Sequence, residues 1–218
     1  VNIGVLGGTG KEGSGLAYRW ALKGHKIIIG SRDPAKAEAG ALELNRLLEG
    51  KAVVRGANNL DAAQAELVVL TVPYAAQLAT AESVAERLAG KILIDVTVPL
   101  MPPKVDRAQL PNGESAVVAL QRRLGAAVKV VSAFQNVSAT HLKDAAHAVD
   151  CDVLVCGDDA DAREVVIGLA RDAGLRAWHA GVLANSIAAE ALTSVLIAIN
   201  KRYKVAGSGI RITGLPSQ

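Results

Sequence analysis

Short apolar runs alternate with amphipathic stretches along most of this chain. Ile3–Leu6, Lys26–Gly30, Ala52–Val54, Leu67–Pro73, Lys91–Val96 and Val128–Ser132 read as strands. Leu67–Pro73 is almost continuously apolar, as a strand covered on both faces of a parallel sheet is. Between these runs the period is helical. Leu16, Ala17, Trp20 and Ala21 share one face and close at Gly24. Pro34 opens a second helix carried by Ala37, Ala41, Leu44, Leu47 and Leu48 and closed at Gly50. Asn58 or Asn59 caps a brief helix ending near Ala65, and longer helices are predicted over Ala75–Leu88 and Glu114–Leu124. Four prolines between Val98 and Asn112 predict a long loop. The alternation places the chain in the α/β class, with a Rossmann-type doubly wound parallel sheet.

The pattern continues more compactly after about residue 140. Asp152–Cys156 and Leu175–Trp178 are predicted strands flanking a helix over Ala160–Ala173. An apolar helix over Leu183–Asn200 and a basic tail, Lys201–Arg211, follow. We expect an NADP-binding Rossmann domain over 1–140 and a small C-terminal domain over 141–218. The longest apolar stretch, Val182–Ile199, contains Asn185, Ser186, Glu190, Thr193 and Ser194, so a buried helix is expected rather than a membrane span.

The first strand breaks into Gly7-Gly8-Thr9-Gly10-Lys11-Glu12-Gly13, where Gly8, Gly10 and Gly13 fit G-x-G-x-x-G. Strand, glycine loop, helix and strand in that order is the context in which this motif binds a dinucleotide. One glycine permits the tight turn, one lets backbone N–H groups approach a pyrophosphate, and one lets the helix pack on its strand. The second strand ends in Ser31-Arg32, where an NAD site commonly has an acidic residue; Asp33 comes one position later. Lys36 lies four residues past Arg32, so a hydroxyl, a guanidinium and an ammonium surround one spot. That set suits a 2′-phosphate, hence NADP(H). The alternative is Asp33 holding an NAD ribose.

Ligands of open α/β sheets lie beyond the carboxyl ends of the strands. Thr71–Tyr74, Thr97–Pro99 and Ser132–Val137 should therefore surround the nicotinamide, and these segments carry no charged residue. Val72, Pro73, Val98 and Val137 can form apolar walls, and Tyr74 can pack on a ring or cover core. An acid/base pair for alcohol oxidation is missing. Tyr18 and Tyr203 are badly placed, His25 belongs to the far side of the sheet, and His141 and His147 are the only candidates. No catalytic residue and no metal site is assigned. A nicotinamide site without a proton-transfer group suits hydride transfer to a second organic redox cofactor, which carries the chemistry itself.

Composition narrows the class further. The 218 residues carry a net charge of +3, and no basic run exceeds three residues, so nucleic acid is not an expected partner. Cys151 and Cys156 are too few and too close for a disulfide framework and are expected as buried thiols. The immediate entry into a strand leaves no room for a signal peptide, and a cytoplasmic protein is expected.

In this frame the chain resembles the NADPH-dependent reductases of the deazaflavin coenzyme F420. The resemblance rests on Leu6-Gly7-Gly8-Thr9-Gly10, Gly30-Ser31-Arg32, Leu70–Tyr74, Val131–Phe134, Val155–Asp159, Leu183–Ser186 and Gly209–Leu215. It implies a reversible hydride transfer between C4 of the nicotinamide and C5 of the deazaflavin. It implies NADP contacts at Thr9, Gly10, Lys11, Glu12, Ser31, Arg32, Lys36, Val72, Tyr74, Val98 and Ala139. The deazaflavin would lie near Gln135, Asn136, Val137 and the start of the last helix at Asn185, and a homodimer would cover that helix. The family commonly has His where this chain has Gln135, Trp at Tyr74 and Arg at Ile187. The glycine loop also resembles the cytoplasmic reductase domain of membrane ferric reductases. An NADPH-dependent flavin reductase and a non-catalytic NADPH-binding module are therefore the alternatives.

Overall fold

Six strands lie parallel in the order β3-β2-β1-β4-β5-β6: β1 (Asn2–Leu6), β2 (Lys26–Ser31), β3 (Val54–Asn58), β4 (Leu67–Leu70), β5 (Ile92–Asp95) and β6 (Lys129–Ser132). This is the dinucleotide-binding order, with the chain reversing direction across the sheet between β1 and β4. The computed structural model describes residues 1–215. Its helices are α1 (Lys11–Leu22), α2 (Pro34–Leu48), α3 (Asn59–Ala62), α4 (Gln77–Glu82), α5 (Ala85–Leu88), α6 (Ala116–Leu124), α7 (Ala160–Asp172) and α8 (Ser186–Tyr203). One core gathers Ile3, Val5, Ile29, Leu16, Trp20 and Leu44 with the α7 residues Val166 and Leu169. A second, on the opposite face, gathers Leu6, Leu70, Leu93, Leu88 and Val117.

β3 begins at Val54, later than the apolar run Ala52–Val54 predicts, and continues through polar Arg55–Asn58. Its pairing with β2 over Ile27–Ser31 and two bonds from the Asn45 carboxamide to the Val54 backbone set the register. Tertiary pairing overrides hydrophobic pattern here. The single helix expected over Ala75–Leu88 is broken into a turn at Tyr74–Ala76, α4 and α5. Ser83 Oγ donates back to Thr80 O at 2.7 Å and Val84 leaves helical geometry at φ −124°, which ends α4.

β7 (Asp152–Gly157) joins the sheet antiparallel to β6, and β8 (Arg176–His179) lies parallel to β7. Only Val131–Gly157 and Ser132–Cys156 are in register with β6. The start of β7 therefore runs past the carboxyl edge of the parallel strands, beside residues 133–136. Asp152, fully buried, anchors this extension. It accepts from Arg176 Nε at 2.8 Å, Trp178 Nε1 at 3.0 Å and Ile212 N–H at 2.7 Å. Burial works against its ionisation, and these donors overcome it and hold the carboxyl below the usual range.

α8 departs from the expected buried helix. Only 33% of the most apolar 18 residues within Leu183–Tyr203 is buried, and by length and composition alone this helix could cross a membrane. The buried side is mostly small or polar, with Ser186, Ala189, Glu190, Ser194 and Leu196, while Val195, Ile199 and Tyr203 are exposed. Ser186 and Glu190 face inward because they find partners there, at Ser115 and the start of α6.

Candidate active site

The loops leaving β1, β2, β4, β5 and β6 converge on one edge of the sheet. After Leu6 the chain reverses at Gly7, whose φ of +72° lies in the left-handed region. The tight turn is thus made by Gly7, outside the three motif glycines. Gly10 precedes α1 as a cap without a side-chain bond, and Ser14 N–H to Gly10 O at 2.9 Å is the first bond of the helix. The N–H groups of Lys11, Glu12 and Gly13 precede that bond and remain for an anionic ligand, with the positive helix end behind them. Gly13 closes the floor. A Cβ there would stand 2.3 Å from Thr71 Oγ1, which itself donates to Leu6 O at 2.9 Å.

At the end of β2, Ser31 Oγ accepts from Asp33 N–H at 3.2 Å, and the Asp33 carboxylate caps α2 by accepting from Ala35 N–H at 3.1 Å. Asp33 is committed to the helix, which argues against its holding a ribose. Arg32 and Lys36 are exposed and have no ion-pair partner among the described residues. A cleft of about 220 Å³ runs between Thr9, Gly10, Ser31 and Arg32 on one side and Thr71, Val72 and Pro73 on the other. A larger groove of about 700 Å³ is lined by Asn2, Lys26 and Arg55, near the starts of the strands and away from these loops.

The loops expected around the nicotinamide are partly open. Val72, Tyr74, Val98 and Ala139 are half-buried, and Val137 is buried. Phe134 takes φ +72°, a strained value for an aromatic residue, and packs edge-on against Trp20 with centroids 5.9 Å apart. This bend sends Gln135 and Asn136 inward. Gln135 Nε2 donates to Asp95 O at 2.7 Å, and Asn136 Nδ2 donates to Asp152 O at 2.8 Å. Their side-chain carboxamide oxygens are buried without a partner. Both residues, with Val137, line a cavity of about 120 Å³ closed by Thr193, Leu196 and Asn200 of α8. Asn185 is exposed, and its Nδ2 donates to Ala180 O at 2.7 Å, closing the turn before α8. It lines neither this cavity nor the 220 Å³ cleft.

Three charged residues that the sequence pattern did not single out organise these walls. Asp95, fully buried at the end of β5, accepts from Thr97 N–H at 2.8 Å and from the Gln77 carboxamide. Burial pushes its carboxyl above the usual range. Glu190 of α8 accepts from Ser115 Oγ at 2.6 Å and from the N–H groups of Ala116 and Val117, capping α6. Burial raises its carboxyl too, against the pull of these donors. Arg19 of α1 donates to the carbonyls of His141, Leu142, Asp144, His147 and Ala173, which ties the nucleotide-side helix to the segment after β6. The sequence signal was present: each is a charge inside an otherwise apolar or amphipathic run.

The histidines are occupied elsewhere. His25 bonds Asp172 and His179 bonds Glu164, each at 2.9 Å, while His141 and His147 stack on each other at 4.0 Å. Cys151 and Cys156 are free and buried, and burial pushes the Cys156 thiol up to about 11. No group of three metal-ligating side chains occurs among the described residues.

A dinucleotide fits what is present. The unbonded start of α1 offers donors for a pyrophosphate, Arg32 and Lys36 offer unpaired cations, and Glu12 Oε1 and Asn59 Oδ1 are buried polar atoms lacking a partner. Buried polar atoms of this kind usually meet a ligand or water. The fold and site therefore define a dinucleotide-binding α/β protein with the features of an NADP(H) oxidoreductase.

Comparison with known proteins narrows this class. Residues 2–99 match the family described as NADP oxidoreductase coenzyme F420-dependent. The F420-dependent NADP reductase of Methanocaldococcus jannaschii is 44% identical, with 99% of each chain covered. That of Methanothermobacter marburgensis is 42% identical, over 99% of this chain and 100% of its own. A crystal structure described as an F420-dependent NADP reductase from Arthrobacter sp. FB24 superimposes with a TM-score of 0.81 and 31% identity, covering 97% of this chain and 98% of that one. The chain belongs to the F420-dependent NADP reductase family.

Proposed function

We propose that this chain transfers a hydride between NADP(H) and coenzyme F420 at the carboxyl edge of its sheet. The observation that carries the reading is the unbonded start of α1 beside an unpaired Arg32. When bound, the two coenzymes supply the whole redox step, the hydride passing between the nicotinamide C4 and the deazaflavin C5. Gly8, Thr9, Gly10, Lys11, Glu12 and Gly13 cradle the pyrophosphate through backbone N–H groups. Ser31, Arg32 and Lys36 hold the 2′-phosphate by charge-assisted bonds. Val72, Tyr74, Val98 and Ala139 wall the nicotinamide, and their partial exposure leaves one ring face for a second planar molecule. Gln135, Asn136 and Val137 serve the deazaflavin side, whereas Asn185, expected there from the sequence, closes the turn before α8 outside both openings. No described side chain is assigned a proton transfer in this reading, so the protein contributes orientation and exclusion of water.

The Rossmann part over 1–140 and the smaller part over 141–218 share this site, since α8 closes the cavity under Gln135 and Asn136. We further propose a homodimer in the cytoplasm. The exposed apolar residues Val182, Val195, Ile199, Tyr203 and Val205 at α8 support the first, and the unpaired buried thiols are compatible with the second.

The test mixes protein, NADPH and oxidised deazaflavin, with free flavin in a parallel arm, and follows absorbance. Rapid loss of the deazaflavin band with flavin untouched is expected. Reduction of flavin alone, or of neither while NADPH binds, would overturn the assignment. Light scattering on the same sample reads the oligomeric state.

A further inference from the structure

Glu12 is the exception among the acidic residues near the site. Asp95 and Glu190 are bonded to several donors, and Asp33 caps a helix. Glu12 Oε1 is sealed from solvent and bonded to nothing, although the residue as a whole is only half-buried. Its direction follows from α1. Residues 12, 15 and 19 are spaced to share one helical face. A Cβ on Gly15 would stand 2.4 Å from Leu142 Cβ, and Arg19 donates to Leu142 O at 2.8 Å. The Glu12 carboxyl therefore faces the segment that follows β6. In the strand order, that segment lies on the side of β1 opposite Ser31 and Arg32, which is the nicotinamide half of the site.

No charge is placed to hold it ionised. On α1 itself, Lys11 is exposed and Arg19 is consumed by five carbonyls. On the segment packed against α1, Lys143 pairs with Glu43, His141 and His147 stack together, and Asp144 accepts from Ala146 and His147 N–H. An ionised carboxylate here would be buried without compensation, and a bound pyrophosphate at the same helix end would add like charge.

We propose that Glu12 enters the nucleotide complex as the neutral acid and donates its O–H to an acceptor oxygen on the nicotinamide half of NADP(H). This rests on the NADP(H) site proposed above. The acceptor is a pyrophosphate oxygen or the nicotinamide carboxamide oxygen, either of which supplies the partner that Oε1 lacks. Burial without donors already holds the free protein's carboxyl up at about 8, so the proton is retained at neutral pH. Nucleotide affinity is then linked to that proton, and binding above neutrality takes one up.

Binding of NADPH to the wild type and to Glu12→Gln is measured from pH 7 to pH 9. The 2′-phosphate is already ionised across this window, since phosphate monoesters have a second pKa of about 6. The wild-type Kd is expected to rise about tenfold from pH 7 to pH 9, because the nucleotide selects the protonated form. Calorimetry near pH 8 in two buffers of different ionisation enthalpy should show uptake of about half a proton per site. Glu12→Gln should show a flat Kd and no uptake. The analogue 2′-phospho-ADP-ribose, which keeps the pyrophosphate and lacks nicotinamide, repeats the pH dependence if the pyrophosphate is the acceptor and loses it if the carboxamide is. A wild-type Kd constant from pH 7 to pH 9 overturns the proposal, as does a pH dependence that survives in folded Glu12→Gln. Failure of folded wild type to bind NADPH at any pH would overturn the nucleotide site itself.

Discussion

Arg32→Ala isolates the 2′-phosphate from the rest of the dinucleotide. Arg32 is exposed, unpaired and outside α2, whose cap is made by Asp33, so its removal leaves the local backbone bonds intact. A hydrogen bond between charged groups contributes about 1.5–3 kcal/mol, and competition from water at an exposed guanidinium favours the lower end. About 1.5–2 kcal/mol corresponds to a Kd for NADPH raised about 10–30-fold. NADH lacks the phosphate and should change by less than about threefold. Fluorescence titration with both nucleotides on both proteins reads the difference directly. Added salt should weaken NADPH binding more in the wild type than in the variant, because the exposed ion pair is screened. An equal rise for NADPH and NADH, or none for either, would refute the assignment of this corner.

Gly13→Ala puts a Cβ 2.3 Å from Thr71 Oγ1 and must push α1 off the sheet; about 1–3 kcal/mol of stability should be lost with weakened NADPH binding, and Thr71→Ala in the same chain should restore part of both. Arg19→Ala abandons five carbonyls at once, and a loss of about 3–5 kcal/mol is expected by chemical denaturation, with Arg19→Lys recovering only a fraction. In the nucleotide-free protein, Glu12 binds its proton up to about pH 8 when folded but only to about 4.5 when unfolded. Its contribution to stability is therefore present below the unfolded value and declines by up to about 1.4 kcal/mol per pH unit as pH rises between the two. Glu12→Gln should remove that decline, and parallel denaturation curves for the two proteins from pH 5 to pH 9 would refute the burial.

The parts of the site that repeat a local rule were legible in the sequence. The glycine loop, Ser31-Arg32 and the strand-end loops depend on backbone turns and on adjacency along the chain, and the strand order places them on one edge as expected. The parts set by long-range pairing were not. β3 slides onto Arg55–Asn58 because β2 and Asn45 supply bonds that no apolar pattern reveals. The inward polar face of α8 exists because Glu190 meets the start of α6, 74 residues earlier in the chain. Arg19 is visible as a charge inside an amphipathic run, but its partners are not, because backbone carbonyls carry no sequence signature.

These long-range bonds explain how a site to which no acid/base residue is assigned can still need charged side chains. Asp95 fixes Thr97, and so the Val98 wall, while its own backbone carbonyl takes the Gln135 carboxamide. Glu190 fixes the start of α6, at the other end of the loop that carries Val98. Asn136 bonds the Asp152 carbonyl at the start of β7, and Asp152 in turn gathers Arg176, Trp178 and the tail. The loop after β5 and the bend after β6 are thus held by buried polar bonds, several of them reaching across to the C-terminal part. Hydride transfer falls steeply with misplacement of the two rings, so rigid walls are what such a site must supply. Buried polar groups suit that task because each leaves an uncompensated partner if the wall shifts. The proposed phosphate grip, by contrast, draws on the exposed Arg32 and Lys36 and on the N–H groups at the start of α1. On the proposed site, binding and alignment therefore fall to different parts of the chain. A change at Glu190 should disturb turnover with deazaflavin before it disturbs NADPH affinity.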